Sequence, residues 1–363
     1  MERIPFSVDP KVQKARTLPG EFYRNPFFFD KCREQVFAKA WHCIGLKDEL
    51  EDREAVQPFE LLPGFLSEPL VLSRDAQGNR RCLSNVCTHR ANLLVTEPGP
   101  CQEIRCRYHG RRFGLDGKMK SMPEFSGVED FPSETDHLPS LPLDSFGPLL
   151  FTNLDRKASF AEWIRPVKER ISWMKPEEFF HAPEYSALYE IEAHWALYVD
   201  NYLEGFHIPF VHPALNQVLD FGDYRYEMFP QGVLQIGMAK EGQPYFDIPG
   251  GQKESGQKVA AYYFWMFPNL MLNVYPWGLS LNIVEPISPT QTRIRFETFL
   301  WEGKEYDQEN QDFTHMVEME DEAVVEAVHK GVQSRLYQHG RFSVKREPGV
   351  HHFHRLLEEA MKK

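Results

Sequence analysis

The stretch Asp200-Asn-Tyr-Leu-Glu204-Gly-Phe-His207-Ile-Pro209-Phe-Val-His212 places two imidazoles and two carboxylates among aromatic and aliphatic residues. Buried polar groups without partners cost free energy, so a segment of this kind calls for something that satisfies them together. Glu204 and His207 stand three apart and would share one face of a helix. His212 follows His207 by five, about 140° out of phase on a regular α-helix. Pro209 lies between them, removes a backbone donor and is expected to bend or end the helix, turning both rings toward one point. A divalent metal held by two histidines and an acid would satisfy the set. The competing reading is a pair of ordinary interior histidines.

Outward from this segment the chain changes texture twice. Residues 1–44 begin irregular and Pro-rich, then read as an amphipathic helix from Lys31 to Trp41 with Asp30 as its cap, an arm packing on the larger domain. Residues 45–155 read as an all-β module of short apolar runs broken by turn signals, among them Asp75-Ala-Gln-Gly78 and Leu115-Asp-Gly-Lys118. Residues 156–363 read as an α+β domain. It opens with a helix over Ala158 to Met174 and a strand over Tyr185 to Ala193, followed by the histidine segment. Strands follow around Met228–Met238, Ala260–Phe267, Leu270–Tyr275, Leu279–Val284 and Thr292–Leu300, and helices over about 307–335 and 348–361 close the chain. The polar, Gly-rich run from Glu241 to Gln257 reads as a surface loop or lid.

Composition narrows the class. A chain of 363 residues with 42% apolar content can bury one large core or two ordinary ones. The 28 Phe, 14 Tyr and 7 Trp suggest caged apolar pockets as well as core packing. No apolar run approaches the roughly 20 residues that span a bilayer. The start Met-Glu-Arg-Ile-Pro-Phe lacks a signal pattern, and Glu2 and Asp9 speak against a transit peptide, so the expected location is the cytoplasm. A net charge of −12 argues against nucleic acid and suits a basic redox partner. Six cysteines in a reducing compartment are expected to be metal ligands or buried thiols rather than disulfides.

Cys87-Thr-His89 and Cys106-Arg-Tyr-His109 stand sixteen residues apart in the β module, each offering one thiolate and one imidazole. Two cysteines on one iron and two histidines on the other is the ligand set of a Rieske [2Fe–2S] centre. Zinc is the competitor, but zinc fingers group cysteine with cysteine and histidine with histidine, whereas each cluster here mixes them. Tyr108 and the amides around Gly110 are candidate donors to the cluster sulfurs; Cys32, Cys43, Cys82 and Cys101 are expected to be buried thiols. A cluster of this kind needs something to reduce, and His207 with His212 needs a third ligand to complete a two-histidine, one-carboxylate iron site. The long helix offers it: its apolar stripe, Phe313, Met316, Val317, Val324, Ala327 and Val328, runs beside Glu320 and Asp321, while Glu322 is expected to point away. Spacing does not separate Asp321 from Glu320.

Taken together, these features resemble the oxygenase (α) component of Rieske non-haem iron oxygenases, the family of ring-hydroxylating dioxygenases and choline monooxygenases, over nearly the whole chain. Cys106-Arg-Tyr-His-Gly110 with Asp116-Gly117 matches the second Rieske loop, and Asn201 to Pro213 matches the iron motif, Glu204 included. Glu318-Met-Glu-Asp321 with Val325-Glu326 is similar to the third-ligand helix and by that match selects Asp321. Arg111, where an aromatic is usual, and His329, where Gln is usual, depart from the pattern. The resemblance implies an N-terminal Rieske domain, a C-terminal helix-grip domain and a homotrimer in which Glu204 bridges His109 of one subunit to His207 of the next. Asn201 belongs to the same motif, and Asp200 is a second candidate for the bridge. It further implies a terminal oxygenase fed from NAD(P)H through a flavin/iron–sulfur reductase, with or without a ferredoxin.

The densest aromatic run, Ala261 to Trp277, is most similar to the choline monooxygenase branch, as is the tail from Gly340 to Leu357. Those relatives act on quaternary ammonium compounds such as choline, betaine or carnitine, oxidising or demethylating at an N-methyl group, and Trp265, Phe267, Tyr275 and Trp277 are candidate walls of a cation-binding pocket. Aromatic-ring (di)hydroxylation is the alternative, and electron carriage without oxygenase activity a remoter one. His351, His352 and His354 are expected to be surface or packing groups.

Overall fold

The computed structural model describes residues 6–47, 54–301, 303–304 and 306–362; Glu2, invoked above against a leader, lies outside them. The chain divides into two compact units, one of residues 38–160 and one of residues 1–37 with 161–363. No described helix is long and apolar enough to cross a membrane.

In the smaller unit the alternating apolar runs form antiparallel sheets. One has five strands, ordered Gly99–Pro100, Ala55–Leu61, Glu68–Arg74, Arg80–Ser84 and Ser140–Leu141. A second joins Trp41–Leu46, Leu149–Asn153 and Leu143–Phe146, and a small third joins Ile104–Arg105, Arg112–Phe113 and Met119–Ser121. Val56, Val71, Leu83, Ile104, Phe113 and Leu138 make one core, and Cys87 and Cys106 are buried in it. Gly117 closes the hairpin after Leu115 at φ 81°, where a Cβ would stand 3.0 Å from the Leu83 side chain.

The larger unit is a helix-grip. Its eight-stranded antiparallel sheet runs Phe179–His181, Gln291–Trp301, Gly278–Ser288, Leu270–Tyr275, Val259–Met266, Gly232–Met238 and Arg225–Phe229, with Ala187–Ile191 also paired to Gln291–Trp301. The helices are α1 (Gly20–Arg24), α2 (Pro26–Gln35), α3 (Phe160–Ile171), α4 (Trp195–Tyr202), α5 (Ile208–Val211), α6 (Leu215–Val218), α7 (Gln308–Val332) and α8 (Pro348–Met361). Helix α4 is apolar almost all round, with Trp195 to Val199 buried, as befits a helix held between the sheet, α7 and α8. Its cap is His194, whose Nδ1 accepts from the Ala196 N–H at 3.2 Å. Burial among Phe22, Tyr23 and Phe29 holds this ring neutral, its pKa lowered to about 3.

Two local expectations are corrected. The arm helix is α2, beginning at Pro26 rather than Lys31: Asn25 caps it by accepting from the Phe27 N–H at 3.1 Å, and Pro26 takes the first-turn position that needs no donor. Trp41, placed at that helix's end, instead opens the strand Trp41–Leu46. The run from Glu241 to Gln257 is a surface loop, as one of its two readings has it, pinned at three buried residues. Phe246 and Ile248 are buried, and the buried Glu254 accepts from Arg170 Nη1 at 2.6 Å and from the Tyr262 hydroxyl at 3.1 Å.

Candidate metal centres and substrate cavity

The histidine segment is built differently from a bent helix. Helix α4 ends at Tyr202, and the turn before α5 is shaped by Glu204, whose Oε2 accepts from the backbone N–H groups of Phe206 and His207. Pro209 sits in the first turn of α5, where its missing N–H costs nothing, so the break precedes it. Gly205 passes under Tyr224 so closely that a Cβ would meet the ring at 3.0 Å.

This turn and the middle of α7 bring together His207, His212 and Asp321, with one ligand atom from each within 4.8 Å of the others. Asp321 Oδ1 lies 3.0 Å from His212 Nε2 and 3.4 Å from His207 Nε2. The opposite ring nitrogens are held from behind: His207 Nδ1 is 2.7 Å from Glu204 Oε1, and His212 Nδ1 is 2.7 Å from Glu320 Oε2. Carboxylates on Nδ1 fix the tautomer that leaves each Nε2 lone pair aimed at Asp321, the arrangement that suits a metal. Asp321 and Glu320, inseparable by spacing, therefore occupy different places, one in the convergence and one behind it.

Further acids stand on α7 around Asp321, and burial favours their neutral forms. Glu318 is buried, and desolvation, then the Asp321 charge, raises its pKa well above the ordinary carboxyl range; the Tyr198 hydroxyl stands 2.9 Å from both its oxygens. Glu322, expected to point away, is half-buried; desolvation, then Glu326 and Asp321, pushes its pKa to about 7, and its Oε1 has no partner among the described residues. The stripe of α7 that is covered runs through Glu318, Val325, His329 and Val332, whereas Met316 and Val328 are exposed. Asp321 between two imidazoles whose Nδ1 atoms are held by carboxylates fits a bound cation. His329 accepts from the His194 N–H at 3.3 Å and packs rather than ligates. Asp200 is corrected as a bridge candidate: Tyr23 and His354 hold it at 2.9 and 2.8 Å, tying α4 to α1 and α8. His351 and His352 likewise reach the carbonyls of Asp9 and Phe229.

In the smaller unit the two ligand loops meet. The Cys87 and Cys106 thiols are buried and hydrogen-bonded to each other, while the His89 and His109 rings lie 4.8 Å apart toward solvent. Burial works against charge on Cys106, but the N–H groups of Tyr108 and His109 outweigh it and lower the thiol pKa; the His89 and Arg90 amides serve Cys87 in the same way, though burial prevails there. Two inner sulfurs and two outer imidazoles fit a two-iron cluster better than one tetrahedral ion. Among the described residues the other four cysteines form no disulfide, and three of them are buried.

A cavity of about 420 Å³ lies over His207, His212 and Asp321. One wall is aromatic: Tyr263 meets Tyr275 edge-on at 5.9 Å, Tyr275 stacks on Trp277 at 5.0 Å, and Trp277 meets Tyr306 at 4.4 Å. A polar patch joins Asn273, Ser280 and Asn282, with the Tyr202 hydroxyl donating to Asn273 Oδ1 at 2.8 Å. Asn201 and Glu204 also line the cavity, and among the described residues no Lys or Arg does. Trp265 and Phe267 do not line it. Trp265 shares a strand face with Tyr263 but lies two residues on, where it meets Phe353 of α8 at 5.1 Å and donates to the Pro268 carbonyl. The polar patch was missed in the sequence, although Asn273, Ser280 and Asn282 interrupt otherwise apolar strands and fall on one face.

Two family models match. Residues 40–132 match the Rieske [2Fe–2S] domain, and residues 180–363 match the ring hydroxylating alpha subunit (catalytic domain). The chain is a Rieske non-haem iron oxygenase. As such, this oxygenase carries a Rieske cluster and a mononuclear iron and takes its electrons through a reductase. It is similar to the chloroplastic choline monooxygenase of Arabidopsis thaliana, 28% identical over all of this chain and 87% of that one. It is 30% identical to the carnitine monooxygenase oxygenase subunit of Escherichia coli K12, over 99% of this chain and 97% of the relative. The oxygenase shares its fold with the quaternary ammonium Rieske monooxygenase CntA solved with L-carnitine, at a TM-score of 0.76 and 24% identity over 99% of each chain.

Proposed function

We propose that this oxygenase hydroxylates a carbon of an N-methylated quaternary ammonium cation that bears no carboxylate. In this reading Cys87 and Cys106 hold one iron of the cluster, His89 and His109 the other, and His207, His212 and Asp321 hold the mononuclear iron. When bound, the metals activate O2 with two electrons relayed from NAD(P)H, so that C–H, O2, two electrons and two protons give C–OH and water. The residues of the chain supply the rest. Glu204 and Glu320 orient the two imidazoles. The wall of Tyr263, Tyr275, Trp277 and Tyr306 offers ring faces to the cation, each worth about 0.5–2 kcal/mol when dry, and Asn273, Ser280 and Asn282 meet a neutral polar end.

The observation that carries the substrate reading is the lining of the cavity: Glu204, Glu309 and Asp321 stand there with the buried acid Glu318, and among the described residues no Lys or Arg lines it. A carnitine or betaine carboxylate would enter without a Lys or Arg partner, whereas choline would keep its hydroxyl on the amide patch. We therefore expect kcat/KM for choline-type cations to exceed that for the zwitterions at least about tenfold, the equivalent of roughly 1.4 kcal/mol. Initial-rate comparison of choline with carnitine and glycine betaine tests it, and zwitterions preferred over choline would refute it. Aromatic-ring hydroxylation has the aromatic wall in its favour but leaves Glu309 and the patch of Asn273, Ser280 and Asn282 without a ligand group to meet.

The same reading includes a trimer in which the exposed His109 of one copy reaches Glu204 of the next. Phe206 and Phe210, beside Glu204 and exposed with rings 6.2 Å apart, support docking of an apolar surface there.

A further inference from the structure

Arg111 is one of the largest fully buried side chains, 2% exposed, and nothing in the mechanism above uses it. Its backbone and side chain grip different ligand loops. The Arg111 carbonyl accepts from the Cys106 N–H at 2.8 Å, and Nη1 donates at 2.7 Å to the hydroxyl of Thr88, the residue between Cys87 and His89. The Thr88 hydroxyl passes its own proton to the Asp136 carbonyl at 2.8 Å.

The charge is only partly answered. Asp136 Oδ1 is 3.3 Å from Nη2, and the other Asp136 oxygen is taken by the Ser133 N–H and hydroxyl at 2.8 and 3.0 Å. Nε has no hydrogen-bond partner among the described residues. The guanidinium lies 5.7 and 5.4 Å from the ring centres of Phe125 and Phe131, and Phe125 meets the His89 ring edge-on at 5.4 Å. A neutral amide would be a sufficient strut between two loops. A guanidinium shielded from water by two rings keeps a field that solvent screens poorly, directed at whatever the loops hold.

We propose that Arg111 is a positioning residue whose fixed positive charge raises the reduction potential of the cluster, with Asp136 as the partial counter-charge. The reduced cluster carries one more negative charge than the oxidised one, so a nearby cation favours the electron's arrival and no proton need move on Arg111. Reduction by the reductase becomes easier, and the onward transfer correspondingly less downhill.

The proposal rests on the cluster ligation above, which iron and sulfide analysis of the wild-type oxygenase tests separately. The decisive experiment is a redox titration of the purified holoenzyme, followed by the visible and electron paramagnetic resonance signals of the cluster. Arg111→Gln is expected to shift the reduction equilibrium about tenfold toward the oxidised form, a fall of about 59 mV for one electron. Arg111→Lys is expected to restore most of it, and Asp136→Asn to move the potential upward. A role confined to loop geometry predicts equal losses in Gln and Lys variants and no rise in Asp136→Asn. Unchanged potential in Arg111→Gln, or shifts of the same sign in Arg111→Gln and Asp136→Asn, overturns the proposal. Should Arg111→Gln lose its cluster, the sign of the Asp136→Asn shift decides alone: a rise supports it, and a fall or no change overturns it.

Discussion

Asp321→Ala is expected to lower hydroxylation at least about 10³-fold and to reduce iron from about three to about two per chain, leaving about two sulfides in place. The expectation follows from geometry: among the described residues Asp321 Oδ1 is the carboxylate oxygen near both His207 Nε2 and His212 Nε2. Removing it leaves two imidazoles, one ligand short of a facial triad. Glu320→Ala should behave differently, because Glu320 meets His212 at Nδ1, on the far side of the ring. Loss of such a supporting carboxylate costs about 10–100-fold in metal affinity or activity. Iron analysis with turnover assays on both variants separates the roles. An Asp321→Ala protein with its third iron and its activity, beside a Glu320→Ala protein lacking both, would exchange them.

The second large effect concerns electron delivery. Glu204→Gln keeps the acceptor oxygen that shapes the turn at Phe206 and His207 but removes the charge facing His207 Nδ1. If Glu204 joins the two centres across copies, steady-state turnover falls about 100-fold while both metals stay bound and the reductase still reduces the cluster at the normal rate. Stopped-flow reoxidation of the reduced protein, mixed with substrate and O2, isolates the step. Reoxidation at the wild-type rate would take Glu204 out of the path. The in-chain half of that arrangement is already in place, with Oε1 2.7 Å from the ring nitrogen.

Chemistry was more legible in the sequence than placement. Cysteines and histidines set in apolar surroundings have few inexpensive explanations, so Cys87, His89, Cys106, His109, His207 and His212 stood out, whereas spacing left Asp321 level with Glu320 and the family resemblance alone selected it. The structure brings each set together. The antiparallel strands announced themselves by alternation and turn residues, and α7 and α8 by their length and periodicity. Periodicity names a face but not a position along it. Tyr263 and Trp265 share a strand face, yet the first lines the cavity and the second lies under Phe353, because the second element that covers the strand is invisible locally. The same blindness misled the reading of α7, whose apolar Met316 and Val328 are exposed while the acid Glu318 is buried against Tyr198. At Pro209 the local rule itself was read backwards: proline ends a helix from its interior but begins one from its first turn. Asp200 looked available only because Tyr23 and His354, its partners, lie 177 and 154 residues away.

Substrate-stimulated O2 uptake by the holoenzyme with its reductase and NADH tests the central claim most directly. The account predicts that choline-type cations accelerate uptake, with one oxygenated product formed per O2 consumed, and that simple aromatic acids do not. Uptake driven by aromatic acids and indifferent to every quaternary ammonium compound would contradict it.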